Sequence, residues 1–169
     1  MTANVLRKCK FALFLIDARD GLQPMDLDVG KWLRKHAPEV KIITVMNKAE
    51  SLDDGLGSAS EARTLRFGDP VALSAETGLG MNDLHQVRMP SLEQQHMLLQ
   101  TVRGVKATTA VSIVGRPNVG KSALLNAILQ EERVLVGPEA SLTRDLVRVE
   151  FKFQGRTIYM GYQLSFFQH

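Results

Sequence analysis

Gly115-Arg116-Pro117-Asn118-Val119-Gly120-Lys121-Ser122 reads G-x-x-x-x-G-K-S, and the fold of the 169-residue chain follows from it. Two glycines let a backbone curl round an anion with several N–H groups pointing inward. At this spacing Lys121 reaches the β- and γ-phosphates of a nucleotide and the Ser122 hydroxyl sits on Mg²⁺. A helix beginning at the loop adds its positive dipole end. The pattern carries weight only between a strand and a helix, and the flanks supply both. Ala110–Val114 is a short buried strand, A-V-S-I-V. Ser122–Leu129 puts Leu124, Leu125, Ile128 and Leu129 on one helical face.

Outward from the loop the same alternation repeats. Phe11–Ile16 (F-A-L-F-L-I) is a continuous apolar run of the kind buried on both faces of a parallel sheet. Pro24 opens a helix to about Ala37, with Val29, Trp32, Leu33 and His36 at i, i+3, i+4 and i+7. Gly30 weakens that helix by about 1 kcal/mol relative to Ala. Lys41–Met46 is a second apolar strand running into Asn47-Lys48-Ala49-Glu50. Ser51–Gly57 reads as a loop and Ser60–Phe67 as a short helix. Pro70–Leu73 is a third strand, ending at Ser74-Ala75-Glu76, and a helix starts near Asn82-Asp83. Pro90 to about Lys106 is a polar, Gln-rich connector. After the loop's helix, Val147, Val149, Phe151 and Phe153 alternate with charged residues. Gln154-Gly155 turns the chain, and Arg156–Met160 returns as a hairpin strand. Residues 161–169 continue no pattern. Strands alternating with helices imply an α/β fold: a mostly parallel sheet with flanking helices, of the P-loop NTPase type.

Composition is that of an ordinary soluble domain, 44% hydrophobic and 23% charged. No apolar run nears the roughly 20 residues that span a bilayer, and the N-terminal stretch lacks signal-peptide architecture. The single Cys9 forms no internal disulfide and suits a reducing compartment, cytoplasm or organelle matrix. A net charge of +3 is not a nucleic-acid-binding pattern by itself. The four histidines show no metal-ligand spacing and read as surface or packing residues.

Three motifs now stand together: the Gly115–Ser122 loop, Asn47-Lys48-Ala49-Glu50 resembling the N-K-x-D guanine motif, and Ser74-Ala75-Glu76 resembling S-A-K/E. The latter two each close a strand, where a doubly wound sheet binds ligands. Together they resemble translation-factor-type GTPases, and in particular the EngA (Der) family of tandem-G-domain GTPases acting in large-ribosomal-subunit assembly. The phrases carrying this are Leu15-Ile16-Asp17-Ala18-Arg19-Asp20-Gly21, Leu125-Asn126-Ala127-Ile128-Leu129, Glu131-Glu132-Arg133-Val134 and Thr143-Arg144-Asp145. The resemblance implies residues 1–88 as the rear half of a first G domain and 89–108 as a linker. Residues 109–160 would be the front half of a second, and 161–169 a divergent tail. The chain is then expected to be a fragment. The base-reading strands precede the P-loop strand, so the two halves could pair into one circularly permuted sheet. YlqF-type GTPases have that motif order and are the second resemblance.

The resemblance implies GTP or GDP held by Gly115, Arg116, Pro117, Asn118, Val119, Gly120, Lys121 and Ser122. Asn47, Lys48, Glu50, Ser74, Ala75 and Glu76 would meet the base, with a backbone N–H of the 74–76 turn on the guanine carbonyl. Mg²⁺ would take Ser122 and Thr143, although Ser141 and Leu142 replace the Gly and first Thr of the family's G-T-T-R-D loop. Asn118 matches a position that helps hold K⁺ in related GTPases; it can equally bond the loop's own backbone. Where the family continues into D-T-A-G after Ile158-Tyr159-Met160, this chain has Gly161-Tyr162-Gln163-Leu164. Phosphoryl transfer is mostly positioning and electrostatics, and losing one such contact costs about 3–4 kcal/mol in the barrier. The implied partner is the large ribosomal subunit, with no membrane. The family's C-terminal KH-like domain has no counterpart, so no direct nucleic-acid-binding domain is expected. Three readings stay open: a ribosome-assembly GTPase, a non-hydrolysing nucleotide-binding module, and an inactive truncated product.

Overall fold

The computed structural model describes residues 6–87, 109–131, 146–153 and 156–163. Phe11–Asp17 forms β1, Pro24–His36 α1, Lys41–Asn47 β2, Leu52–Ala62 α2 and Val71–Ala72 β3. Residues 81–87 form α3. Thr109–Val114 is β4, Lys121–Glu131 α4, Leu146–Phe153 β5 and Arg156–Gln163 β6. All six strands join in one sheet of order β3-β2-β1-β4-β6-β5. Every neighbouring pair is parallel except the β5–β6 hairpin.

The join between β1 and β4 brings the two parts of the chain together. Phe11 lies opposite Val111 and Phe14 opposite Val114 in a parallel ladder. Strands that the family resemblance assigns to two different G domains therefore share one sheet, in permuted order. Parallel neighbours cannot be joined by a tight turn, so this pairing is a tertiary event that no local signal dictates.

Period-two alternation along β1 feeds two cores. Phe11, Leu13 and Leu15 face one core, with Ile43, Val45, Val111 and Ile113 from the sheet and Met81, Leu84, Leu124, Leu125 and Ile128 from α3 and α4. Ala12, Phe14 and Ile16 face the other, with Val29 and Leu33 of α1, Met46, Ala62 and Leu65. Burial of both faces is why the β1 and β2 sequences read as unbroken apolar runs. Gly30 has a packing reason: a Cβ there would lie 2.9 Å from Leu65 Cδ2, so its absence lets α1 settle on the sheet.

Two local expectations change. Residues expected as the Ser51–Gly57 loop belong to α2 from Leu52 onward. Gly55 and Gly57 lower helix propensity, but burial of Ala59 and Ala62 supplies what propensity lacks. The helix expected over Ser60–Phe67 ends earlier, in a 3-10 turn Arg63–Leu65 closed by left-handed Arg66. Likewise, Gly161, Tyr162 and Gln163 are not patternless tail but the end of β6. Gly161 pairs with Ser112 and Tyr162 with Ile113, so backbone ladder bonds, not side-chain alternation, carry the strand on. The 90–106 connector and the Gln154-Gly155 turn lie outside the described residues.

Candidate functional site

The C-terminal ends of β1, β2, β3 and β4 lie side by side, and their loops meet. Beyond β4 the chain runs through Gly115–Gly120 and enters α4 at Lys121. Gly120 is indispensable on two counts. Its φ is +92°, and a Cβ there would come 2.3 Å from the Asn47 amide nitrogen. Asn118, at φ 64°, takes the left-handed conformation that Asn tolerates better than most residues. Lys121 Nζ donates to the carbonyls of Gly115 (3.0 Å) and Arg116 (2.8 Å). Burial holds its pKa below the ordinary 10.5.

Asn47, the last residue of β2, is 2% exposed. Its Nδ2 donates to Val119 O at 2.8 Å. Its Oδ1 accepts from Ala75 N at 3.0 Å. One side chain thus ties the loops after β2, β3 and β4 together. Lys48 holds the adjacent corner, donating to Asp17 Oδ2 (2.5 Å) and Asn118 O (2.7 Å). Its left-handed backbone, φ 66°, is kept by these two anchors. Ser74 is buried and shapes the next turn: its Oγ accepts from Thr77 N at 3.3 Å, and its own N–H donates to Leu79 O at 2.8 Å.

The remaining candidates are arranged more loosely. Glu50 is exposed and pairs with Arg19 Nη2 at 2.6 Å. Glu76, Pro117 and Ser122 are also exposed, Ser122 in the first turn of α4. Thr143 lies outside the described residues. In the 74–76 turn that the resemblance aims at a base, the Ala75 N–H is occupied by Asn47. Among the described residues, no group of three His, Cys, Asp or Glu side chains could hold a metal ion.

Sequence reasoning missed one cluster. Arg116 Nη2 pairs with Asp20 at 2.7 Å, and its Nε lies 3.4 Å from Oδ2 of Asp26, whose side chain is fully buried. The Arg116 hydrogen bond lowers the Asp20 pKa, whereas burial raises that of Asp26. A signal was available. Asp26 stands three residues before Val29, on the apolar stripe of α1, where an unpartnered carboxylate would not be placed.

The site combines a glycine-bounded cradle, an ammonium held by two of its carbonyls and a hydrogen-bonded corner from neighbouring strand ends. A family model described as 50S ribosome-binding GTPase matches residues 110–161. A GTPase Der of Novosphingobium aromaticivorans is 39% identical over 154 residues, covering 84% of this chain and 32% of that protein. One from Rhizobium johnstonii is 34% identical over 182 residues, covering 94% and 38%. One from a Thermotoga species is 37% identical over 157 residues, covering 92% and 35%. The chain therefore resembles Der GTPases over most of its own length, while spanning about a third of theirs. Among solved structures, YjeQ from Thermotoga maritima shares the fold: TM-score 0.57 at 20% identity, over 93% of this chain and 49% of that one.

Proposed function

We propose that this chain, Der-like over most of its length, binds GTP and GDP in one site built from both parts of the sequence, with hydrolysis far slower than in a complete G domain. The observation carrying this is the 2.8 Å hydrogen bond from Asn47 Nδ2 to Val119 O. It joins the guanine-type motif of one part to the phosphate loop of the other. A single nucleotide can then span both.

In this reading the backbone N–H groups of Asn118–Lys121 and the Lys121 ammonium hold the phosphates. Lys121 exchanges its two loop carbonyls for phosphate oxygens. Glu50 accepts from the N–H edge of guanine, and Lys48 holds the corner beside it. The Glu76 end of the 74–76 turn faces the base carbonyl, the Ser74 and Ala75 N–H groups being taken by Leu79 O and Asn47 Oδ1. Ser122 fits Mg²⁺: a hard hydroxyl oxygen, exposed beside the cradle, is what Mg²⁺ takes together with phosphate oxygens and water. Thr143 would add a second oxygen, and Asn118 a contact to K⁺. The metal, when bound, neutralises phosphate charge.

Slow hydrolysis is supported by β6. Gly161 and Tyr162 stay in the ladder beside Ser112 and Ile113. In the family's D-T-A-G the Asp for the metal falls at Gly161, and the Gly that senses the γ-phosphate falls at Leu164. This observation favours the nucleotide-binding module over the turnover enzyme. The large ribosomal subunit is the proposed partner, and cytoplasm or organelle matrix the proposed compartment. Among the described residues no helix is long and apolar enough to cross a membrane.

The test is titration of fluorescent GDP, GTP and ATP analogues with Mg²⁺ against wild type and Lys121→Ala. Guanine-selective binding that disappears in Lys121→Ala, with an unchanged circular dichroism spectrum, supports the reading. Equal binding by both proteins overturns it.

A further inference from the structure

We propose that Arg116 is a positioning residue that sets the Lys121 contact by anchoring the phosphate loop to the residues before and within α1. Arg116 is held at both its ends. The Arg116 carbonyl accepts from Lys121 Nζ at 2.8 Å. Its guanidinium reaches away from the loop to Asp20 at 2.7 Å and Asp26 at 3.4 Å. The peptide that holds the ammonium is therefore fixed by charges belonging to the other part of the chain.

One oxygen of the Asp26 carboxylate is itself held, Gln23 N donating to Oδ2 at 3.0 Å, and Gln23 Nε2 fixes the backbone beside it by donating to the Asp20 main-chain carbonyl at 2.6 Å. The Asp26 side chain is fully buried and that of Arg116 is 17% exposed, so this pair is little screened by solvent. Asp26 contributes a buried charge without a hydrogen bond to Nε, whereas Asp20, 52% exposed, makes the hydrogen bond to Nη2. Only a guanidinium presents Nη2 and Nε at once to two separate carboxylates. The anchor rests on the proposed nucleotide site for its purpose, but its existence is testable without nucleotide.

The experiment is competitive acetylation of the nucleotide-free full chain, with lysine labelling rates read by peptide mass spectrometry. Lys121 is 6% exposed in the wild type and should label slowly, against exposed Lys31 as internal reference. Arg116→Met and Asp26→Asn should each speed Lys121 labelling about tenfold. The double variant should be no faster than the faster single one, because both changes remove one interaction. Arg116→Lys should restore part of the slow labelling. Lys121 labelling within twofold of wild type in folded Arg116→Met, or single effects that multiply in the double variant, would overturn the anchor. If Arg116→Met fails to fold, Asp20→Asn decides: about threefold faster labelling supports the anchor and no change refutes it. GDP affinity is read in parallel. Loss of the labelling pattern sinks the anchor alone, whereas wild-type chain that binds no GDP sinks the nucleotide reading and leaves the anchor standing.

Discussion

Replacing Asn47 by Ala removes the group on which the assembled site turns. The amide makes two contacts, donating to Val119 O at 2.8 Å and accepting from Ala75 N at 3.0 Å. Truncation leaves a carbonyl and an N–H without these partners. An unsatisfied buried group costs about 1–3 kcal/mol. Val119 is buried and should cost near the top of that range, whereas the half-buried Ala75 turn can recruit water and should cost less. The sum is about 2–4 kcal/mol. A domain of ordinary stability, about 5–15 kcal/mol, stays folded after such a loss. With a urea slope of about 1–3 kcal/mol per molar, the unfolding midpoint should fall by about 1–2 M at unchanged slope. Asn47→Asp should be no better at neutral pH, because it keeps the acceptor for Ala75 but turns an oxygen toward the Val119 carbonyl. GDP affinity should fall with stability, since the same amide positions the phosphate loop. The assay is equilibrium urea unfolding followed by circular dichroism, paired with GDP titration. A midpoint within about 0.3 M of wild type would mean the bridge contributes under 1 kcal/mol and that the seam is not built as argued.

Lys121→Ala should abolish nucleotide binding and keep the fold, as judged by calorimetry and circular dichroism. Burial lowers the Lys121 pKa from 10.5, so in the window below 10.5 the unfolded chain binds more protons than the folded one. Wild-type stability therefore gains a contribution as pH rises toward 10.5, and urea midpoints across that range should show the gain missing in Lys121→Ala. Glu50→Asp should tighten GTP binding about fivefold with little change for ATP, because the shorter carboxylate meets the base edge with better alignment. It also withdraws from Arg19, now 2.6 Å from Glu50. Equal GTP affinity in the two proteins would rule out a single composite site. GTP turnover should be far below that of a complete G domain, because Gly161-Tyr162-Gln163-Leu164 stands where the family has D-T-A-G. A normal single-turnover rate on contaminant-free protein would refute this.

The sequence by itself determined the local pieces. The apolar runs of β1 and β2, the glycine spacing of 115–120 and the face of α4 each report a requirement met within a few residues, so each is legible in isolation. Where propensity was weak, as in the glycine-bearing start of α2, or where side chains carry no alternation, as in Gly161–Gln163, the reading stopped short because neighbours made the decision. The largest such decision is the β1–β4 pairing, which joins two distant sequence segments into one sheet. It sets Asn47 against Val119 and Arg116 against Asp26, residue pairs 72 and 90 positions apart. Hydrogen bonds and ion pairs at that separation leave no period in the sequence. Only the folded chain, by bringing four strand ends together, gives the buried Asn47 its two partners and sets Arg116 beside the buried Asp26.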